Sequence, residues 1–348
     1  MLTETISGNT VLTPTRIMQT GFAFWSSKVL LSAVNFKLFT LLAHGSKTAE
    51  EIRTALDLQQ RGLPDFLDAL VALNFLYRHG NGSEAKYCNT LESDTYLDKN
   101  KATYVGGILE MANNRLFPVW SHLEEALQTG RPQNEGKNGA KPIFETMYSD
   151  EKRLEEFIAA MGGIQIGNFI EFARQFNFSG HYTHCDVGGA GANLSIQIAL
   201  HNPAIQSISW DLPKVEAIAA RNIQLNKLGD RVVARSGDFF TDEFPRADVI
   251  TMGNILHDWD LEQKKLLIQK AYNALPAGGA LVVIENVIDD ERRENAFGLL
   301  MSLNMLVETY GGFDYTAADF TSWAKETGFT QVDIMHLTGP ASALIAYK

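Results

Sequence analysis

Two stretches of this chain carry groups suited to chemistry. In Asn254-Ile-Leu-His-Asp-Trp-Asp260, His257 follows an apolar pair and precedes two acids, just past a run that reads as a strand. An imidazole with an unperturbed pKa of about 6.5 can take up or return a proton near neutral pH. A histidine in isolation is more often a surface or capping residue, so its surroundings have to decide. The second stretch, His184 to Leu200, places Gly188, Gly189 and Gly191 between a short buried strand and a helix. That turn leaves helix-start N–H groups free at the open end of a sheet, where a polar ligand can approach the backbone. Many nucleotide-binding sheets share such a turn. Here the glycines read G-G-A-G rather than G-x-G-x-x-G, and no G-x-x-x-x-G-K-[ST] occurs, which excludes a P-loop. About 23 residues after Gly188 comes Asp211, in Ser207-Ile-Ser-Trp-Asp-Leu-Pro213. An acid at the tip of a second strand hydrogen-bonds ribose hydroxyls. The alternative is a cap on the helix that begins near Pro213, and the two roles can coexist.

These residues need a frame. From Tyr182 strand and helix alternate to the end, as in a doubly wound α/β sheet. Strands are expected at Tyr182–Val187, Ser207–Trp210, Arg231–Ser236, Asp248–Gly253 and Gly279–Val287. A last pair, Gln331–Leu337 and Ser342–Tyr347, is joined by a Gly339-Pro340 turn. Asp211, Asp238, His257 and Glu285 then fall at the carboxyl ends of strands, where such sheets bind ligands. Ahead of the sheet, Pro14 to Leu42 reads as helix, apolar nearly all round (Ile17, Phe22, Trp25, Val29, Leu31, Phe39). A helix without a polar face must be buried on several sides, and near a terminus a subunit interface is the place for it. A capped helix start at Ser46–Ile52, an amphipathic helix at Leu63–Leu76 and a small β-wing around Gly80–Gly82 make a winged-helix pattern. Acids and bases nearly balance over residues 1–100 and Leu63–Leu76 has no Lys or Arg, so nucleic-acid binding is not expected. Residues 1–13 read as a loose arm. Residues 104–172 read as helical, broken at Gly130–Pro142.

The 348 residues suit two domains, and 45% hydrophobic with 20% charged residues are globular values. A net charge of −11 argues against nucleic acid or an anionic membrane as partner. Cys88 and Cys185 fall in different expected domains, so no disulfide framework follows and a reducing cytoplasm is the default. With no basic segment leading an apolar one at the start, and no long apolar run, a soluble cytoplasmic protein is expected.

Taken together, Asp186-Val-Gly-Gly-Ala-Gly, Trp210-Asp-Leu-Pro, Gly237-Asp-Phe-Phe and Asn254 to Asp260 resemble class I S-adenosylmethionine-dependent methyltransferases. More narrowly, their order and spacing resemble the O-methyltransferase family of plant caffeate-type and bacterial polyketide and phenazine enzymes, over nearly the whole chain. The resemblance implies a Rossmann-like catalytic domain over 179–348 that binds S-adenosylmethionine. It also implies a mainly helical winged-helix dimerisation domain over 1–100, a helical acceptor-binding region over 101–178, and a homodimer. Gly188, Gly191, Asp211, Leu212, Gly237, Asp238, Phe239 and Gly253 are the implied cofactor residues, with Asp238 on the adenine amino group and Phe239 on the ring face.

His257 matches the family's catalytic base. A methyl on a sulfonium is already activated, so the protein's tasks are alignment and removal of the acceptor proton, from a phenol of pKa about 10. Such a base must be held in one tautomer. Glu285 matches the first of two supporting acids. Asp314 takes the place of the second, in Gly311-Gly-Phe-Asp-Tyr-Thr316 where the family reads Gly-Gly-x-Glu-Arg-Thr. Its side chain is one methylene shorter, and Glu308 competes for the role. Met161, Trp259, Met301, Asn304 and Met305 are the implied wall for a small aromatic acceptor, although methionines fill cores as readily. One family branch is thought to bind iron through a His–Asp pair plus another histidine. None occurs between Asp258 and Met335, so no metal is expected. The expected activity is O-methylation. The alternatives are C- or N-methylation on the same frame, since bacterial relatives include C-methylating members and a branch without net transfer, or a non-catalytic cofactor-binding regulator.

Overall fold

The computed structural model describes residues 12–101, 103–135, 137 and 151–348, and of residues 151–153 the backbone alone. Most of the arm expected over 1–13 and the second half of the break expected over 130–142 lie outside the described residues. The chain divides into two compact units, residues 1–113 and 114–348, so that 114–178 fold with the second.

In the first unit, strands β1 (Lys47–Thr48), β2 (Leu76–His79) and β3 (Lys86–Asn89) form an antiparallel sheet in the order β1-β3-β2. Thr48 starts the helix Ala49–Ala55 with a capping box. Its hydroxyl accepts from the Glu51 N–H at 3.2 Å, and the Glu51 carboxylate accepts from the Thr48 N–H at 2.7 Å. The stretch from Pro14 to Leu42 is three helices rather than one: Thr15–Gly21, Ala23–Asn35 and Leu38–Leu42. Lys37, in the left-handed region at φ 59°, turns the chain so that Leu38, Phe39 and Leu42 join Ala33, Val34, Leu67 and Leu70 in the core. The amino-terminal half stays out of it. Ile17 is 73% exposed and Trp25 60%, with Met18, Phe22 and Phe24 also exposed. Burial on several sides therefore holds, within the chain, only for the second half of the stretch. Contiguous apolar surface of this kind marks an interaction site.

The second unit is built on seven strands: β4 (Thr183–Val187), β5 (Gln206–Asp211), β6 (Val232–Ser236), β7 (Val249–Gly253), β8 (Ala280–Glu285), β9 (Gln331–His336) and β10 (Ser342–Tyr347). They lie in the order β6-β5-β4-β7-β8-β10-β9. The first five are parallel, and β10 runs antiparallel to both β8 and β9. The β8 sequence Ala-Leu-Val-Val-Ile-Glu is buried throughout, as a central parallel strand requires. Leu281 and Val283 face one core, and Ala280, Val282 and Ile284 the other, following the two-residue period of a strand. Helices Leu261–Ala274 and Ala317–Thr327 cover the first face through Leu267, Ile268, Ala271 and Phe320. Helices Glu151–Gln175 and Asn193–His201 cover the second through Phe169, Phe172, Leu194 and Ile198.

Strand β4 pairs with β5 on one side and β7 on the other, so the winding direction reverses between β4 and β7. The crevice at the carboxyl ends of these strands is the place where such sheets bind ligands. The glycine turn after β4 and the single 3-10 turn Leu256–Asp258 after β7 both open there. Gly188 joins them closely. Its φ is +72°, and a Cβ at that position would lie 2.3 Å from the Cδ1 of Ile255.

Candidate active site

The site is built from strand ends. After β4, the Gly188 N–H donates to the Trp210 carbonyl at 2.8 Å, which pins the turn to β5. Asp211, the last residue of β5, then binds backbone through both oxygens. One accepts from the Ala190 N–H at 2.8 Å and the other from the Leu212 N–H at 2.6 Å. Leu212 rather than Asp211 occupies the cap position of the helix Pro213–Leu225, with no side-chain cap bond. Asp211 therefore braces the glycine turn. Burial pushes its pKa up, and the two amide bonds oppose that shift.

Beyond β6, the Gly237 N–H donates to the Asp211 carbonyl at 2.9 Å. Asp238 shapes a tight loop in which its carboxylate accepts from the Phe240 N–H at 2.8 Å. Phe239 meets the ring of Trp259 edge-on, with centroids 5.7 Å apart, and Phe240 does so at 4.6 Å. The loops after β6 and β7 thus share an aromatic wall. Gly253 ends β7, and Asn254, left-handed at φ 52°, turns the chain toward His257.

His257 is 6% exposed and has three acids around it. Its backbone N–H donates to Glu285 Oε1 at 3.0 Å. Its Nδ1 lies 3.3 Å from Asp314 Oδ1, and its Nε2 lies 3.6 Å from Asp258 Oδ1. The Asp314 contact is within hydrogen-bond reach, and the Asp258 contact is too long to be one. Glu285 therefore holds the turn that carries the histidine, whereas Asp314 meets the ring. Glu308 lies elsewhere, 2.5 Å from Arg115 and near Asn134. Gly312 makes the approach of Asp314 possible, since a Cβ there would sit 2.6 Å from the His257 carbonyl oxygen. The Asp314 N–H is anchored in turn on the Ser302 hydroxyl at 3.1 Å.

Electrostatics follow from this crowding. Burial alone would lower the His257 pKa, but Asp258, Asp314 and Glu285 together overcome it and raise it to about 10. Burial lifts Asp258 to about 6 against the pull of His257. Glu285 is also raised by burial. One oxygen each of Glu285 and Asp314 is buried without a hydrogen bond among the described residues. The three acids thus favour the protonated form of the ring.

The remaining sequence candidates are distributed more widely. Asn304 and Met301 lie on the helix Ala296–Glu308, partly buried, and Met305 is buried there. Asn304 Oδ1 accepts from Trp120 Nε1 at 2.8 Å, so the amide is already engaged by a side chain. Met161, half-buried, lies on the helix Glu151–Gln175. Trp259 touches Phe239 and Phe240, on the side of the site expected to receive adenine.

Two groups beside the site were not singled out from sequence. Lys264 is fully buried next to the acids. Its spacing with Leu267, Ile268 and Ala271 marks the core-facing stripe of its helix, a signal that would have found it. His184, under the glycine turn, bonds Ser207 at 3.0 Å and Thr251 at 2.9 Å, and Thr251 donates to Asp186 at 2.6 Å. A polar chain therefore crosses β5, β4 and β7 inside the sheet.

Comparison with known proteins fits this geometry. Residues 120–330 match the model of an O-methyltransferase domain, and residues 18–99 that of an O-methyltransferase dimerisation domain. The tetracenomycin polyketide synthesis 8-O-methyl transferase of Streptomyces glaucescens is 38% identical over 96% of this chain and 97% of its own. An N,N-dimethyltransferase of Streptomyces rimosus is 31% identical over 90% of each chain. The crystal structure of human N-acetylserotonin methyltransferase in complex with S-adenosylmethionine superposes with a TM-score of 0.89, at 27% identity, covering 98% of this chain and 99% of that one. No helix among the described residues is long and apolar enough to cross a membrane. With a parallel sheet reversing at β4 and β7, a gripped histidine at that crevice and both domain models matched in order, the chain belongs to the O-methyltransferase family.

Proposed function

We propose that this protein transfers the methyl group of S-adenosylmethionine to a hydroxyl oxygen of a small aromatic acceptor, with His257 as general base. The observation that carries the reading is the grip on His257 at the switch crevice: Asp314 on Nδ1, Glu285 on the backbone, and Nε2 without a hydrogen bond among the described residues. The residues around the crevice fit the cofactor. The glycine turn offers backbone at the start of a helix, Asp211 ends the second strand, and Asp238 with Phe239 opens the loop beyond the third. Each oxygen of Asp211 accepts one amide and has lone-pair capacity left for ribose hydroxyls. When bound, S-adenosylmethionine supplies a positively charged sulfonium whose methyl group needs no further activation.

The protein's own work is then positional and protonic. Asp314 keeps a proton on Nδ1, so that Nε2 is the nitrogen presented to the acceptor hydroxyl. Asp258, Asp314 and Glu285 raise the proton affinity of His257, which favours the ring that has taken the acceptor's proton. Phe239, Trp259 and the partly buried Met301 and Met161 offer apolar surface to planar groups. The exposed Ile17, Met18 and Trp25 suit a second copy of the chain, which supports a homodimer. Likeness to an N,N-dimethyltransferase supports a second reading, methylation of an amine on the same frame. Incubation with methyl-labelled S-adenosylmethionine and a panel of phenols and arylamines, with the methylated atom identified, decides between them. Label on oxygen is expected, and label confined to nitrogen or carbon would refute the proposal.

A further inference from the structure

Lys264 is a fully buried cation beside three buried acids, and no step above uses it. It lies in the first turn of the helix Leu261–Ala274, directly after the Asp260–Gln263 capping box, and its side chain turns inward. The ammonium donates to the carbonyl of Trp259, the neighbour of Asp258. It also sits 3.6 Å from the ring centroid of Phe313, the neighbour of Asp314, and 5.7 Å from that of Tyr315 on the other side. One cation is thus clamped between the two segments whose carboxylates face the two ring nitrogens of His257. A carbonyl and an aromatic face alone would not call for a buried charge, since removing an ammonium from water costs several kcal/mol without nearby acids.

We propose that Lys264 is a positioning residue that sets the proton affinity of His257 by offsetting the charge of Asp258, Asp314 and Glu285. The inference rests on His257 as the base. The groups that face the pair are Asp258 on the same turn, Glu285 from β8, Asp314 and Tyr315 from the loop after Ala296–Glu308, and Asp260 at the start of the lysine's own helix. With His257 and Lys264 both charged, two cations face Asp258, Asp314 and Glu285. Without Lys264, three carboxylates would act on His257 alone and hold its proton more tightly. Burial lowers the lysine's own pKa to about 8 against those acids, so it remains charged at neutral pH. Neutral tethers of similar length would secure Trp259 equally well, and the charge is what distinguishes the two roles.

The test is a titration of the His257 imidazole by NMR in substrate-free protein with labelled histidine, using His257→Gln to assign the signal. Lys264→Gln keeps a donor for the Trp259 carbonyl and removes the charge. Lys264 loses its proton near pH 8, below the His257 midpoint, so Lys264→Gln should leave that midpoint near the wild-type value, whereas Lys264→Arg, charged throughout, should lower it by about one pH unit, a tenfold loss of proton affinity. An unchanged midpoint in Lys264→Arg would overturn the proposal. Should that variant not fold, the wild type gives the answer with labelled lysine. The His257 signal should step as Lys264 loses its proton, and the absence of such a step would overturn the proposal too. Because no acceptor is present, the outcome does not depend on whether His257 proves to be the catalytic base.

Discussion

Asp314 Oδ1 lies 3.3 Å from Nδ1 of His257, on a side chain one methylene shorter than the glutamate of the family motif it resembles. The shorter reach is made up by backbone. Gly312 lets the loop pack against the His257 carbonyl, and the Ser302 hydroxyl holds the Asp314 N–H. Loop position rather than side-chain length brings the acid to the ring.

That arrangement makes Asp314→Asn informative. Loss of the carboxylate should lower turnover by about 10- to 1,000-fold, since ring orientation fails while the base survives. S-adenosylmethionine affinity should be unchanged by calorimetry. A base must be unprotonated to act, and the acids raise the His257 pKa to about 10, so wild-type kcat on a phenol should climb through the alkaline range. In Asp314→Asn the climb should come at lower pH, because one of the charges that raise the pKa is gone. A profile that does not move would remove Asp314 from the ring.

Asp211→Ala should weaken S-adenosylmethionine at least about tenfold, from lost charge-assisted bonds of roughly 1.5–3 kcal/mol each. The variant also frees the Ala190 and Leu212 amides, so Asp211→Asn should lose less. Equal affinities for wild type and alanine variant would exclude Asp211 from the cofactor site.

Much of this was legible in the sequence, for identifiable reasons. The parallel strands are runs of five or six residues bounded by turns, and β8 alternates between two cores as its pattern requires. His257 stood out because of its place after a strand. Glu285 was legible by position, but not its target: a 3-10 turn presents the backbone N–H of His257, not the ring, to the carboxylate. The break at Lys37 was not legible, because a lysine carries no signal for the left-handed region that glycine or asparagine would give. Lys264 was passed over because a lysine is ordinarily solvated, although its apolar helical neighbours placed it on the core face.

The polar chain inside the sheet predicts an acid response. Burial lowers the His184 pKa from 6.5 to about 3, so its neutral form stabilises the fold above pH 6.5 and that contribution is lost as pH falls toward 3. His184→Gln cannot take a proton. Its stability deficit against wild type, measured by denaturant melts, should narrow by about 1 kcal/mol for each pH unit below 6.5. A deficit constant from pH 7 to pH 4 would mean that His184 does not titrate with unfolding.

Assembly can be tested at the exposed apolar helices. Trp25 is 60% exposed within the chain, and Trp25→Glu should shift the protein toward monomer or aggregate in light scattering. A wild-type monomer at micromolar concentration would contradict the homodimer.

The central claim is that His257 takes the acceptor proton. Its most direct test is single-turnover methyl transfer by His257→Ala on the acceptor found by the labelling screen, at saturating S-adenosylmethionine. The expected rate is about 10²- to 10⁴-fold below wild type, with cofactor affinity retained. A variant that kept more than half the wild-type rate would contradict the account and leave proximity alone to carry the transfer.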